Sequence, residues 1–82
     1  MAATTREERE TRIKGGLRAE RNRANLSQKD VSVATGFNPS TISNWEQGAG
    51  SIGFEEAFCL ADLYGVSLDQ LAGRTWPQPG VA

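Results

Sequence analysis

Residues 26–48, LSQKDVSVATGFNPSTISNWEQG, read as two short helices joined by one tight turn. The Ser27 hydroxyl can accept from a free N–H of a new helix, and the Asp30 carboxylate, three residues on, can accept in return from the Ser27 N–H. This is a capping box with Asp in place of the usual Glu. The run Gln28 to Thr35 then puts Val31, Ser32 and Thr35 on one face, all small or β-branched enough to let another helix approach. Gly36 ends it, because glycine reaches positive φ without a Cβ clash and the chain can swing away there. Phe37 is placed to plug the corner. Asn38 is a good N-cap and Pro39 suits the first helical position, where its missing N–H costs nothing. A second helix therefore begins at Pro39.

On a wheel of roughly 100° per residue, Ile42, Trp45 and the flank carrying Glu46 share one side of this second helix, and Ser40, Ser43, Asn44 and Gln47 take the other. The outward stripe is polar, short and uncharged, where a merely solvated helix would favour Lys and Glu. Asn44 and Gln47 each carry an amide that can pair with N6 and N7 of adenine, and Ser40 can donate to or accept from several bases. Small polar residues also occur on ordinary exposed helices, so the stripe alone does not decide the matter. Two helices joined by a glycine turn, the second with a polar outer face, are nevertheless the layout of a helix-turn-helix that reads DNA in the major groove.

Residues 17–73 resemble the lambda-repressor/Cro-like (XRE-type) helix-turn-helix family. The resemblance lies in LSQ at 26–28, Gly36 in the turn, STIS and WE across 40–46, and GVSLDQLAG at 65–73, whose order and spacing are more specific than any one piece. It implies a positioning helix at Gln28 to Thr35 and a recognition helix at Pro39 to Gln47. It also implies base contacts from Pro39, Ser40 and Asn44, with Ser43 beside them, and a phosphate contact from Gln28. Gln47 joins the base-reading set, and Thr41 and Ser51 the phosphate set. Two positions depart from the family pattern. Ser32 stands where Ala or Gly is usual, so its hydroxyl needs a partner, such as the carbonyl four residues back. Pro39 stands where a polar side chain is usual and offers only apolar contact, for instance to a thymine methyl. Arg21 and Glu46 are, by the same resemblance, a structural pair bridging the first helix to the recognition helix. Backbone N–H groups of the loop GAGSIG, 48–53, supply further phosphate contacts. That loop has no basic residue, unlike those of relatives, so a shallow salt dependence is expected.

The chain has 82 residues and a net charge of −1, which at first argues against a nucleic-acid partner. Its distribution answers part of the objection. Residues 1–29 hold eight Lys and Arg against four acids, for +4, whereas residues 30–82 hold one Arg against six acids, for −5. Local field matters more than the total. In REERETRIK, 6–14, Arg6 and Arg9 are expected to pair with neighbouring acids along a solvated helix, which leaves Arg18 and Lys29 as the phosphate candidates.

The remaining segments read as support. Thr5 and Glu8 form a second capping box, opening a helix that runs to Asn22 or Ala24 with Ile13 and Leu17 inward. Gly15 and Gly16 interrupt it, implying either a kink or close packing of a neighbour. Phe54, Ala57, Phe58, Ala61 and Leu63 describe an apolar face ending at Tyr64 and Gly65, and Ser67 caps a short last helix carrying Leu68 and Leu71. The expected fold is thus all-α: five helices in one compact lambda-repressor-like domain over 1–73, then an irregular Pro- and Gly-rich tail over 74–82. The single Cys59 reads as a buried small hydrophobe. With no His there is no imidazole base, no catalytic dyad and no zinc site, so neither enzyme nor metal nor cofactor is expected. No apolar run approaches a membrane span and the charged start lacks a secretory core, which points to the cytoplasm.

The expected partners are a palindromic double-stranded operator and a second copy of the chain, with no membrane or small-molecule ligand. One recognition helix reads only a few base pairs, and a two-fold pair doubles the site. Leu68, Leu71 and Trp76 are the candidate dimer contact. Within this reading the chain is a Cro-like or minimal phage or prokaryotic repressor. The alternative is a protein-binding use of the same fold, as an antitoxin, co-regulator or anti-repressor, which the acidic second half makes credible.

Overall fold

The computed structural model describes residues 5–74. Among them are five helices and no strand: α1 (Arg6–Arg23), α2 (Gln28–Thr35), α3 (Pro39–Gln47), α4 (Phe54–Tyr64) and α5 (Leu68–Leu71). Four of the five start at a side-chain cap, and α4 starts at Gly53 without one. Thr5 Oγ1 accepts from Glu8 N–H at 3.1 Å, but Glu8 makes no return bond, so the second capping box is only half formed. Ser27 and Asp30 complete both bonds of the capping box, at 3.0 and 2.9 Å. Accepting from the Ser27 backbone N–H holds the Asp30 carboxyl below its ordinary pKa. Ser67 Oγ accepts from Gln70 N–H at 3.1 Å.

The turn between α2 and α3 is fixed more tightly than the sequence implied. Gly36 takes φ +81° as the α2 C-cap. Ser32 does not bond back to the carbonyl four residues earlier; its hydroxyl donates forward to Phe37 O at 2.6 Å. Thr35 makes the backward bond, to Val31 O at 2.7 Å, and its Oγ1 accepts from Phe37 N–H at 3.2 Å. The hydroxyl that departs from the family pattern therefore pins the corner instead of bending the helix. Phe37 meets Trp45 edge to face, with ring centroids 5.5 Å apart.

Leu17, Val31, Ile42, Trp45, Leu60, Ala61 and Leu71 form the core, with every helix contributing at least one residue. Fully burying a Leu, Ile or Val side chain is worth about 1.5–3 kcal/mol, so this small set carries much of the stability of so short a domain. Two expectations are corrected here. The buried side of α4 is Leu60 and Ala61, flanked by half-buried Ala57 and Tyr64; Phe54 and Phe58 are 73% and 49% exposed. Positions 57, 60, 61 and 64 follow the helical i, i+3, i+4, i+7 spacing, and Phe58 lies roughly 100° round from Ala57. Cys59 is half-buried, not enclosed.

The glycine pair resolves as close packing. α1 is continuous through it. A Cβ on Gly16 would stand 2.1 Å from Leu71 O and 2.6 Å from Gly73 N, so the end of α5 lies directly on the α1 backbone. A Cβ on Gly15 would meet nothing within 4 Å. Gly15→Ala should accordingly raise stability by about 0.5–1 kcal/mol, whereas Gly16→Ala should lower it by about 1–3 kcal/mol. Thermal melts of the two variants check this, and equal shifts would contradict the packing.

Candidate nucleic-acid interface

α3 is held on its inner side by Ile42 and Trp45 in the core and by one ion pair. Glu46 is 3% exposed. Arg21 grips it with two parallel bonds, Nε to Oε2 at 2.7 Å and Nη2 to Oε1 at 2.9 Å, while Nη1 donates to Leu26 O at 3.0 Å. Gln28 Nε2 adds a donor to Glu46 Oε1 at 3.3 Å. Hydrogen bonding to Glu46 raises the Arg21 pKa against the lowering effect of burial. Neighbouring Tyr64 is pushed up to about 12, first by burial and then by the Glu46 charge. α1, the start of α2 and α3 therefore converge on one carboxylate, and no buried side-chain N or O among the described residues lacks a partner.

The outer side of α3 is left for contact. Asn38 Oδ1 accepts from Ser40 N–H at 2.9 Å and from the Ser40 hydroxyl at 2.6 Å. With its proton committed, Ser40 Oγ presents lone pairs outward and suits a base amino group such as adenine N6 or cytosine N4. Gln47 Nε2 donates to Ser43 Oγ at 2.8 Å, which frees the Ser43 proton to donate. Asn44 is exposed, and among the described residues its side-chain amide makes no bond, so both its donor and its acceptor are available. Pro39 is exposed at the first turn. Thr41 is half-buried.

The phosphate candidates divide. Gln28 is tied to Glu46 and is as much part of the scaffold as of the surface. Lys29 is exposed beside Asp30, whose charge offsets part of its own. Arg18 is exposed on α1, with no ion pair among the described residues. Ser51 lines a cleft of about 250 Å³ between α1 and the loop 48–52. That cleft also holds Lys14, a residue the sequence reading passed over as part of a solvated charge run. The Lys14 stem lies against Gly48, with Cδ 3.3 Å from where a Cβ would be. Lys14 has no ion pair among the described residues, whereas Arg6 in the same cleft is paired with Glu10 at 2.9 Å. The loop that lacks a basic residue thus has one brought to it by α1. The spacing of 34 residues between Lys14 and Gly48 hid this from the sequence. Of the dimer candidates, Leu71 is 2% exposed and belongs to the core, Leu68 is half-buried, and Trp76 lies outside the described residues.

Residues 17–71 match the helix-turn-helix family of lambda-repressor/Cro-like, XRE type. The chain belongs to that family. Its positioning and recognition helices, α2 and α3, lie within the matched segment, and the protein is a DNA-binding helix-turn-helix regulator of an ordinarily non-enzymatic group. No curated protein and no solved structure matches the chain. No helix among the described residues is long and apolar enough to cross a membrane.

Arg21→Ala should cost about 3–5 kcal/mol, because it strands the Glu46 charge in a buried site. That is comparable to the whole stability of a domain this size. An unchanged melting temperature would contradict it. The single tyrosine gives a second check. Its folded pKa lies above the ordinary value of 10.0, so the stability it contributes is complete below pH 10 and is lost as pH rises toward about 12. Stability followed by denaturant melts should fall across that window, and Tyr64→Phe should remove this part of the fall.

Proposed function

We propose that the protein is a sequence-specific transcriptional repressor of the Cro-like or minimal phage or prokaryotic kind, acting in the cytosol or nucleoid. It binds a palindromic operator as a dimer, with α3 in the major groove. The observation that carries the reading is the outer face of α3: an unbonded Asn44 amide beside Ser40 and Ser43, whose protons are already sorted into acceptor and donor. Asn44 takes an adenine by its paired donor and acceptor, Ser40 accepts from an amino group, Ser43 donates, and Gln47 supports Ser43 while keeping its own oxygen for a base. Pro39 offers its ring to a thymine methyl. Arg18, Lys29, Gln28, Thr41 and Ser51 set the register on phosphates, and Lys14 adds a cation at the loop. These contacts position the helix; the α3 side chains choose the sequence.

Two copies are proposed because one helix reads few base pairs, and half-sites one turn of DNA apart, about 34 Å, match a two-fold protein. Leu71 is enclosed, so the dimer contact falls on the exposed edge-to-face pair Phe54 and Phe58 of α4. That exposed pair, with the acidic second half, is also what favours the alternative of a protein-binding regulator.

Selection from a random DNA pool should return a palindrome. On that site Asn44→Ala should weaken binding by roughly 5- to 150-fold, the equivalent of about 1–3 kcal/mol. Lys14→Gln should weaken all sequences alike and lower the salt slope by about 1. Phe58→Ser should bind a half-site normally and lose cooperativity on the full site. Absence of binding at low salt would sink the repressor reading.

A further inference from the structure

The Ser40 hydroxyl carries one proton and two lone pairs, so it can donate to a base or accept from one. Which it does depends on where its proton is already held. A hydroxyl within a helix ordinarily donates to a carbonyl three or four residues back, but Ser40 is the second residue of α3, and for it those carbonyls belong to Phe37 and Gly36 of the turn. Phe37 O already accepts from Ser32 Oγ at 2.6 Å. Ser40 Oγ lies 2.6 Å from Asn38 Oδ1 instead.

The direction of that bond is fixed by a second one. The same Asn38 atom caps α3, 2.9 Å from the Ser40 backbone N–H, which can only donate. An amide nitrogen cannot accept, so the atom is the amide oxygen, and the proton shared with Ser40 Oγ comes from Ser40. Both lone pairs of Asn38 Oδ1 are then occupied, and Ser40 Oγ is left with lone pairs alone. To donate to a base, Ser40 has to break its bond to Asn38. The net worth of such a bond corresponds to a factor of roughly 2 to 10 in affinity.

We propose that Asn38 is a specificity-determining positioning residue, which acts through Ser40 and does not itself read a base. By holding the Ser40 proton it selects adenine or cytosine, whose N6 and N4 amino groups donate in the major groove. It rejects thymine and guanine, which present the acceptors O4 and O6 there. A wrong base sets acceptor against acceptor. The inference rests on the reading of α3 as the base-reading helix, and it makes the N-cap that starts the helix also the residue that sets the polarity of its first serine.

The test uses the full chain and the variants Asn38→Gly, Asn38→Asp and Ser40→Ala. Glycine is nearly as good an N-cap as Asn, so the helix start survives without the side-chain oxygen, whereas Asp keeps an oxygen to receive both bonds. Three-bond Hα–Hβ couplings of Ser40, measured without DNA, should report one χ1 rotamer in wild type and Asn38→Asp, and averaging in Asn38→Gly. On duplexes recovered from a random pool, the base pair whose preference vanishes in Ser40→Ala marks the Ser40 contact. Turning that pair end for end should weaken wild type and Asn38→Asp by roughly 2- to 10-fold and leave Asn38→Gly nearly indifferent. Averaged couplings in the wild type, a preference that Asn38→Gly retains, or a loss that Asn38→Asp does not rescue would each overturn the proposal and leave the repressor reading standing. A wild type that holds the Ser40 rotamer yet selects no DNA sequence would overturn both.

Discussion

The bidentate bond of Arg21 to Glu46 is the constraint on which the rest of the architecture depends. Glu46 lies on α3, Arg21 on α1, and the two are held by Leu26 O and Gln28 at the entry to α2. One carboxylate thus fixes three elements relative to one another. A buried ion pair adds little net stability over apolar residues of the same shape, but breaking it leaves a stranded charge, so alternatives in which α3 rotates or slides are heavily penalised. Ile42 and Trp45 alone would hold α3 against the core through non-directional contact. The ion pair supplies the direction, and with it the angle at which Ser40, Ser43 and Asn44 are presented.

Charge follows the same logic of placement over sum. The protein is acidic overall, and its recognition helix is uncharged on the outer face. Affinity for a polyanion must therefore come from beside the motif. α1 places two cations there, with Arg18 exposed and Lys14 laid along the loop after α3. On the proposed reading, the helix that makes the structural grip through Arg21 also carries the electrostatic footprint. The acidic charge is concentrated in the second half of the chain, and Glu55 and Glu56 stand in the first turn of α4, where the helix dipole favours them.

What was legible in the sequence was whatever a few neighbouring residues decide. Ser27 with Asp30, Gly36, and Asn38 with Pro39 each act within one turn of chain, and the boundaries of α2 and α3 fell where those rules put them. The Arg21–Glu46 pair spans 25 residues and was accessible through the family resemblance, not through spacing. The covered side of α4 differs from the expected one because its contacts with α2 and α5 decide it, and they leave Phe54 and Phe58 outside. Gly15 and Gly16 are indistinguishable as letters; only the approach of Leu71 and Gly73 separates them. Lys14 was hidden for the same reason, its partner loop being distant in sequence. The local grammar specified the motif, and tertiary neighbours assigned its supporting residues.

The most direct test of the account is to follow backbone and side-chain amide shifts while titrating the protein with its selected DNA. If α3 reads the groove, with α1 and the following loop on the phosphates, the largest changes fall on the Asn44 and Gln47 side-chain amides, on Ser40 and Ser43, and on Lys14 and residues 48–52. Changes at the proposed α4 dimer contact should be smaller and should disappear on a single half-site, and the α5 face should change least. Shifts concentrated around Phe54 and Phe58, with the Asn44 amide unmoved, would contradict it and place the working surface of the protein elsewhere.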